Sequence, residues 1–440
     1  MHAEFYLRTN KTMKNHLLLF ALLLLPLAGK AQYKVFDDVL YYLDDYTLTA
    51  RVEGSENKEI SGNVNIPETI VYYGHFYRVT SIVSYAFKEC TKLTGINIPK
   101  SVTSIGNFVF AFCTNLTSIK VTEGNPVFDS RENCNAIIHT AKNTLILGCQ
   151  NSTIPSSVTT IGQYAFGWCT GLTSITIPNS VTNIEYMAFM GCSNLSSIII
   201  GEHVESIRRW AFEKCSSLTS VIIPNSVTTI EEEAFRECDN LSSVVIGDGV
   251  KNIERLTFLL CTNLSSVTIG NGVESIKYGA FMNCTSLNSI NIPNSVTTID
   301  NDVFEECSNL SSVVIGNSVA SIGEVAFRLC SKLKDFYSYA EQVPQCHWSS
   351  FSGSSLKNAT LHVPAASLET YRNAVSWNNF GSIVALTDED PKPTGIKSVR
   401  SNEITEKCFY SLDGKHTSTP RRGLNIIRMS DGTTKKVILK

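Results

Sequence analysis

Apolar positions recur along this chain with a long period, neither the 2 of a single strand nor the 3.6 of a helix. The stretch "IPNSVTTIEEEAFRECDNLSSVVI", Ile223–Ile246, shows the unit: Val and Ile three apart, then Ala-Phe, then Cys, then Leu with two further apolar residues. Cys169, Cys192, Cys215, Cys238, Cys261, Cys284, Cys307 and Cys330 follow one another at intervals of 23, and Cys90 and Cys113 keep that spacing upstream. A Phe stands three residues before each of these cysteines, including Phe166, Phe189, Phe212 and Phe235, and a Leu stands three after. "LTSITI" and "LSSVVI" carry mostly β-branched residues at alternating inward positions and predict a short strand. "NSVTTI" opens on turn residues and then points Val and Ile inward again. Ala-Phe-x-x-Cys supplies a small group, a ring and a thiol to a further wall. One coil cannot bury its own apolar side, whereas stacked coils share a continuous core. Strand spacing sets a rise of about 4.8 Å per coil, so ten coils span about 50 Å. The pattern therefore specifies an architecture rather than a chemical site.

The repeat closely resembles the BspA-like leucine-rich repeats of bacterial surface proteins, over residues 33–386. The resemblance implies an α/β-type repeat solenoid of mainly short β-strands, with 23-residue coils, N- and C-terminal caps and a small all-β tail. "VFDDVLYYLDDYTLTARV" and "IPETIVYYGHFYRVTSIVSYAF" look like the family's β-rich opening cap, and "LHVPAASLETYRNAVSWNNFGSIVAL" like its closing cap. The expected divisions are 1–31 signal peptide, 32–80 N-terminal cap, 81–340 solenoid, 341–387 C-terminal cap, 388–395 linker and 396–440 tail. One interval breaks the ruler. Cys113 and Cys169 lie 56 residues apart, which fits two coils plus ten residues, an insertion at 121–155 bearing a β-hairpin.

The ends speak of export. "MKNHLLLFALLLLPLAGKAQ", Met13–Gln32, has the basic start, apolar run and small residues of a secretory signal, with cleavage expected after Ala31. Its run Leu17–Ala28 is short of the roughly 20 residues that span a bilayer, so the mature chain is expected to have no transmembrane segment. After the acidic, Pro-rich "LTDEDPKPTG", turn signals at Asp413-Gly414 and Asp431-Gly432 predict two hairpins. "YSLDGK", "RGLNIIR" and "KKVILK" resemble the C-terminal sorting domain of the type IX secretion system of Bacteroidetes, which implies an export address and cell-surface attachment.

Composition narrows the functions. A net charge of −3 offers no basic footprint for nucleic acid or anionic lipid. The eight histidines are scattered, and H-E-x-x-H, G-x-S-x-G, a Walker loop and C-x-x-C are all missing, so no catalytic residue, metal site or cofactor is expected and an enzyme is disfavoured. "GNGVES" at Gly270 lacks the third glycine of a dinucleotide loop and reads as a coil turn. The ladder cysteines read as small buried hydrophobes, because parallel Cβ vectors oppose bridging. Cys134, Cys149, Cys346 and Cys408 lie off the ladder, and an exported chain permits a Cys134–Cys149 bridge. Glu231, Glu232 and Glu233 read as a solvated acidic face.

Surface is what remains. The outward strand slot runs Asn97, Lys120, Thr176, Ile199, Ile222, Val245, Thr268, Asn291, Val314, so Ile199, Ile222 and Val245 form an apolar stripe, for docking or for in-register stacking. The slots flanking Ala-Phe place Tyr164, Trp168, Tyr186 and Trp210 on three successive coils beside Arg208 and Arg209, the residue types that anchor interfaces. The expected function is that of an exported, monomeric, adhesin-like protein binding a protein or glycan on a host or neighbouring cell, with a non-binding envelope spacer as the alternative. A binding protein should expose a contiguous aromatic or apolar patch; a spacer should not.

Overall fold

The computed structural model describes residues 32–55 and 58–393, together with the strands Cys408–Tyr410, His416–Thr417, Gly423–Arg428 and Thr434–Leu439. Each 23-residue coil has three sides. The Leu-x-x-Ile segments form parallel strands in exact 23-residue register, as in Ser220↔Ser243 through Ile223↔Ile246. The Val-x-x-Ile segments give two-residue parallel strands, with Ile184, Ile207 and Ile230 aligned. The Ala-Phe side is a chain of turns rather than a helix, and Leu368–Asn373 is the one α-helix among the described residues. The fold is thus a leucine-rich-repeat β-solenoid.

The turn side explains the rest of the repeat. In each coil the residue two before Phe and the residue before Cys take left-handed backbone, for example Trp210 (φ 57°) and Lys214 (φ 60°). Such angles cost a non-glycine residue on the order of 1 kcal/mol. They turn alternate backbone N–H groups toward the next coil, so that Phe166 donates to the Ala188 carbonyl and Trp168 to that of Met190. Between those bonds the Phe rings stack: Phe166–Phe189 at 4.9 Å, Phe189–Phe212 and Phe212–Phe235 both at 5.1 Å between centroids. Each fully buried ring contributes roughly 1.5–3 kcal/mol.

The cysteines do more than fill space. The thiol of Cys192 donates to the Phe166 carbonyl at 3.1 Å, and Cys215 and Cys238 donate to Phe189 and Phe212 at 3.2 Å. In the last coil Ser354 takes the slot and donates to Phe327 at 2.6 Å. A small donor at this position therefore ties the Cys113 coil, and each coil from Cys192 to Cys330, to its predecessor. Cys134 and Cys149 are both free thiols, as are the ladder cysteines. Burial pushes the ladder thiols far up, Cys330 to about 12, and so keeps them protonated.

The long interval departs from expectation. Instead of two coils plus ten residues, it contributes no corner of its own: the Phe112 N–H donates to the Trp168 carbonyl, and Phe108 packs on Tyr164 at 4.3 Å. The coils of Cys113 and Cys169 are thus neighbours on the turn side. The hairpin Ala136–His139/Thr144–Gly148 joins the Val-x-x-Ile side, where Thr144 and Leu145 pair in parallel with Thr160 and Ile161. It joins two cores, with Ile137 and Leu147 packed toward the N-terminal one and Ile138 and Leu145 toward the C-terminal one. Gly148 occupies the space of a missing corner, where a Cβ would stand 2.1 Å from the Phe166 ring.

A curled sheet opens the solenoid, in the order Gln32–Phe36, Val39–Asp44, Thr49–Gly54, His75–Ile82, Thr69–Tyr72. Its two edges meet where the Phe36 and Tyr72 rings touch edge-on at 6.3 Å. At the far end Tyr371, Trp377 and Phe380 cover the last coil. The described part of the expected 388–395 linker, residues 388–393, folds back over the strand wall together with Thr387: Asn291 donates to the Lys392 carbonyl at 3.0 Å. In the tail, Cys408–Tyr410 pairs with His416–Thr417 and Gly423–Arg428 with Thr434–Leu439, all antiparallel. The signal segment and the tail turns lie outside the described residues.

Candidate binding surfaces

The corner aromatics are brought together, as a ladder rather than an open patch. Tyr85, Phe108, Tyr164, Tyr186 and Trp210 contact in sequence, with centroids 4.3–5.5 Å apart, and Phe112 stacks on Trp168 at 5.0 Å. Tyr164, Trp168, Tyr186 and Trp210 are all half-buried. Trp168 lies against Gly191, where any side chain would collide with the indole. Arg209 lies 4.1 Å over the Trp210 ring and pairs with Glu233 at 2.9 Å, while Arg208 pairs with Glu231 at 2.7 Å.

The acidic run is a solvated face only in part, since Glu231 and Glu232 stay half-exposed. Glu233 is only 7% exposed, held between Arg209 and Arg236. Burial raises its carboxyl pKa, but the hydrogen bonds from those arginines outweigh burial and hold it below the usual range. Burial pushes its neighbour Glu213 upward instead. These charges are spent on one another, across coils.

The outward stripe is in register: Ile222 stands beside Val245, and Val245 beside Thr268. Ile199, Ile222 and Val245 are each half-buried by their neighbours. The row continues through Asn291, Val314, Tyr337 and His362. There it is covered. Val314 is 4% exposed, Tyr337 stacks on His362 at 4.3 Å, and the His362 ring lies between Asp335 (3.4 Å) and Asp390 of the returning segment (3.9 Å).

The exposed rings sit elsewhere. Tyr46 (70% exposed), Tyr73 (86%) and Phe76 (67%) belong to the N-terminal sheet, together with exposed Tyr33, Val35, Leu48 and Val71. Sequence reasoning missed them, although a signal was present. "VYYGHFYRV" carries large apolar residues on both phases of its strands, and a curled sheet buries only one phase. Near the open end, Asp45, Tyr46, Leu48, Tyr72, Tyr73 and His75 line a cleft of about 670 Å³, floored by Tyr77. Tyr77 donates to the Asp45 carboxylate, which lifts the phenol to about 12. Among the described residues no three His, Cys, Asp or Glu converge as a metal site, and no helix is long and apolar enough to cross a membrane.

Comparison with known proteins bears on the repeat. The family model of the BspA type leucine-rich repeat region matches in six copies, over residues 71–147, 143–265 and 251–376. Among solved structures, a leucine-rich repeat protein from Bacteroides ovatus is 24% identical over 80% of this chain and 100% of its own, with a TM-score of 0.45. A leucine rich cell surface protein from Faecalibacterium prausnitzii is 24% identical over 81% and 96%, with a TM-score of 0.43. The pneumococcal vaccine antigen PcpA is 13% identical over 81% and 99%, with a TM-score of 0.35. A search of curated proteins finds no match. The family model alone spans more than two thirds of the chain.

Proposed function

Because the chain belongs to the BspA-type leucine-rich repeat family, we propose that it is an exported, surface-attached protein that binds a protein or glycan partner as an adhesin does. One observation carries this reading. Large apolar side chains lie exposed on the N-terminal sheet, at Tyr33, Val35, Tyr46, Leu48, Tyr73 and Phe76, and three of them (Tyr46, Leu48 and Tyr73) line one cleft. The coils bury or stack theirs, with Trp348 of the closing coil as an isolated exception. A patch of that kind has no use in folding and marks an interaction surface. The signal-like N-terminus and the sorting-like tail support export and attachment, and the rigid stack of coils would hold the sheet away from its anchor. The reading assigns binding and no catalysis.

Binding of the purified protein to an array of matrix proteins and glycans tests it. Saturable binding lost in Tyr73→Ala/Phe76→Ala places the partner on the sheet. Loss instead in Trp168→Ala/Trp210→Ala moves it to the corner ladder, and loss in Val245→Lys moves it to the strand stripe. No binding to any array member leaves a spacer of the cell envelope as the reading.

A further inference from the structure

The geometry points to the cleft between the turn at 45–48 and the hairpin tip at 72–75 as a binding site for a neutral saccharide, an inference that rests on the binding role proposed above. Its volume is in the range of small-ligand clefts. Three features select the ligand.

First, rings are presented at a cost. Tyr73 (φ 49°) and Gly74 (φ 80°) form the two-residue turn between Thr69–Tyr72 and His75–Ile82, with both residues left-handed. Asn or Gly fits the first position without strain, and Tyr does not. Tyr73 recovers little by packing: it is 86% exposed and touches Tyr72 edge-on at 4.4 Å. Tyr46 is likewise displayed on a turn, held by the Asp44 carboxylate accepting its N–H at 2.9 Å. Exposed aromatic faces attract the slightly positive C–H faces of a pyranose.

Second, the cleft is lined by one carboxylate and by no lysine or arginine. Asp45 supplies a carboxylate, and the Lys34 ammonium stands 5.0 Å from the centre of the Tyr72 ring. The cation place on that ring is already filled by the protein's own Lys34, so Tyr72 is closed to a cationic ligand, while the Asp45 carboxylate repels an anionic one.

Third, Asp45 can only accept hydrogen bonds, and Tyr77 orients it by satisfying one of its oxygens. A ligand seated beside it must bring O–H or N–H donors. Proline-rich peptides also seek aromatic grooves but carry few N–H groups. Vicinal hydroxyls on a sugar supply the donors.

The experiment is calorimetric titration of the purified full chain with neutral oligosaccharides: maltotetraose, cellotetraose, tetra-N-acetylchitotetraose, mannotetraose and N-acetyllactosamine. Hexaproline serves as the competing chemistry. Tyr73→Asn is the key variant, because Asn suits the turn and removes only the ring; its melting temperature should not fall. Saturable binding of one saccharide, weakened at least tenfold by Tyr73→Asn and by Asp45→Asn but unchanged by the distant Lys332→Ala, is the expected result. Saccharide binding indifferent to Tyr73→Asn overturns the site. Hexaproline binding that Tyr73→Asn abolishes, without any saccharide binding, replaces the sugar by a peptide. If no probe binds while an array protein still does, the saccharide proposal falls and the adhesin reading stands. If nothing binds at all, both fall.

Discussion

Val245 and Val314 occupy the same slot of the repeat, three coils apart and each within the run SVVI, with Ile222 and Thr268 beside the first and Asn291 and Tyr337 beside the second. Val245 remains partly open, whereas Val314 is 4% exposed because the segment 387–393 returns across it to reach Asn291. The slot sets which way a side chain points; a distant piece of chain decides whether it meets water. An outward position in a solenoid is thus a surface only until something lies on it, and here one half of the wall is already occupied by the protein itself.

The sharpest break of this comparison is a charge. Val314→Lys buries an ammonium without a partner and should cost about 3–5 kcal/mol, or release the covering segment. Val245→Lys leaves its ammonium in water and should stay within about 0.5–1 kcal/mol. Denaturant unfolding read near the C-terminal coils by hydrogen exchange distinguishes the two, since a repeat array need not unfold as one unit. Equal costs would mean that the segment does not cover Val314 in solution. Truncation to alanine repeats the comparison at smaller scale. Val314→Ala should cost about 1–2 kcal/mol, and Val245→Ala less than half of that, because only the former leaves a cavity.

The two halves also differ in how far sequence could reveal them. The ladder was legible because its cause is local: Phe212 and Cys215 repeat at 23 residues, and every coil solves the same packing problem. The thiol's bond to the preceding Phe carbonyl was not, since a buried Cys reads as a hydrophobe until its donor is placed. The interval after Cys113 misled by arithmetic, because its length fits whole coils while its hairpin skips the corner. "LTDEDPKPTG" has the composition of a solvated linker, and what holds residues 387–393 is the Lys392 carbonyl at Asn291 and the Asp390 carboxylate beside His362, contacts that composition does not encode. Of the candidate rings, Tyr164, Tyr186 and Trp210 touch in turn edge to face while Trp168 packs apart on Phe112, a division that spacing in the repeat does not reveal. The exposed Tyr46 and Tyr73 escaped notice because turn residues are seldom read as sites.

Asn291 gives a gentler test. It lies on the boundary between open and covered wall, and its amide donates to the returning segment at 3.0 Å. Asn291→Ala removes the hydrogen bond to the Lys392 carbonyl, a loss of about 0.5–1.5 kcal/mol. The loss should appear as faster amide exchange in residues 387–392 and over Val314, with the Ile199–Val245 stripe unaffected. Uniform acceleration along the wall would show that Asn291 supports the coils rather than the cover.

The smallest effect is a titration. Burial, then the nearby carboxylates of Asp335 and Asp390, raises the Tyr337 phenol above its ordinary value. A folded-state pKa above the unfolded one means that the neutral phenol is favoured by the fold. Its contribution is complete below the unfolded value of about 10 and is lost as pH rises through the folded one. Tyr337 is only partly buried, so solvent screens the effect and it should be modest. Spectrophotometric titration of a Tyr337→Phe variant against the parent isolates this phenol. In the parent it should ionise late, and together with that ionisation the exchange of residues 387–392 should quicken. Cutting the chain after Leu386 removes Asp390 and the cover together, and the phenol should then titrate lower. An unchanged titration after the cut would mean that Tyr337 is shielded by its own coil neighbours, and the distinction between the two halves of the wall would rest on Val314 alone.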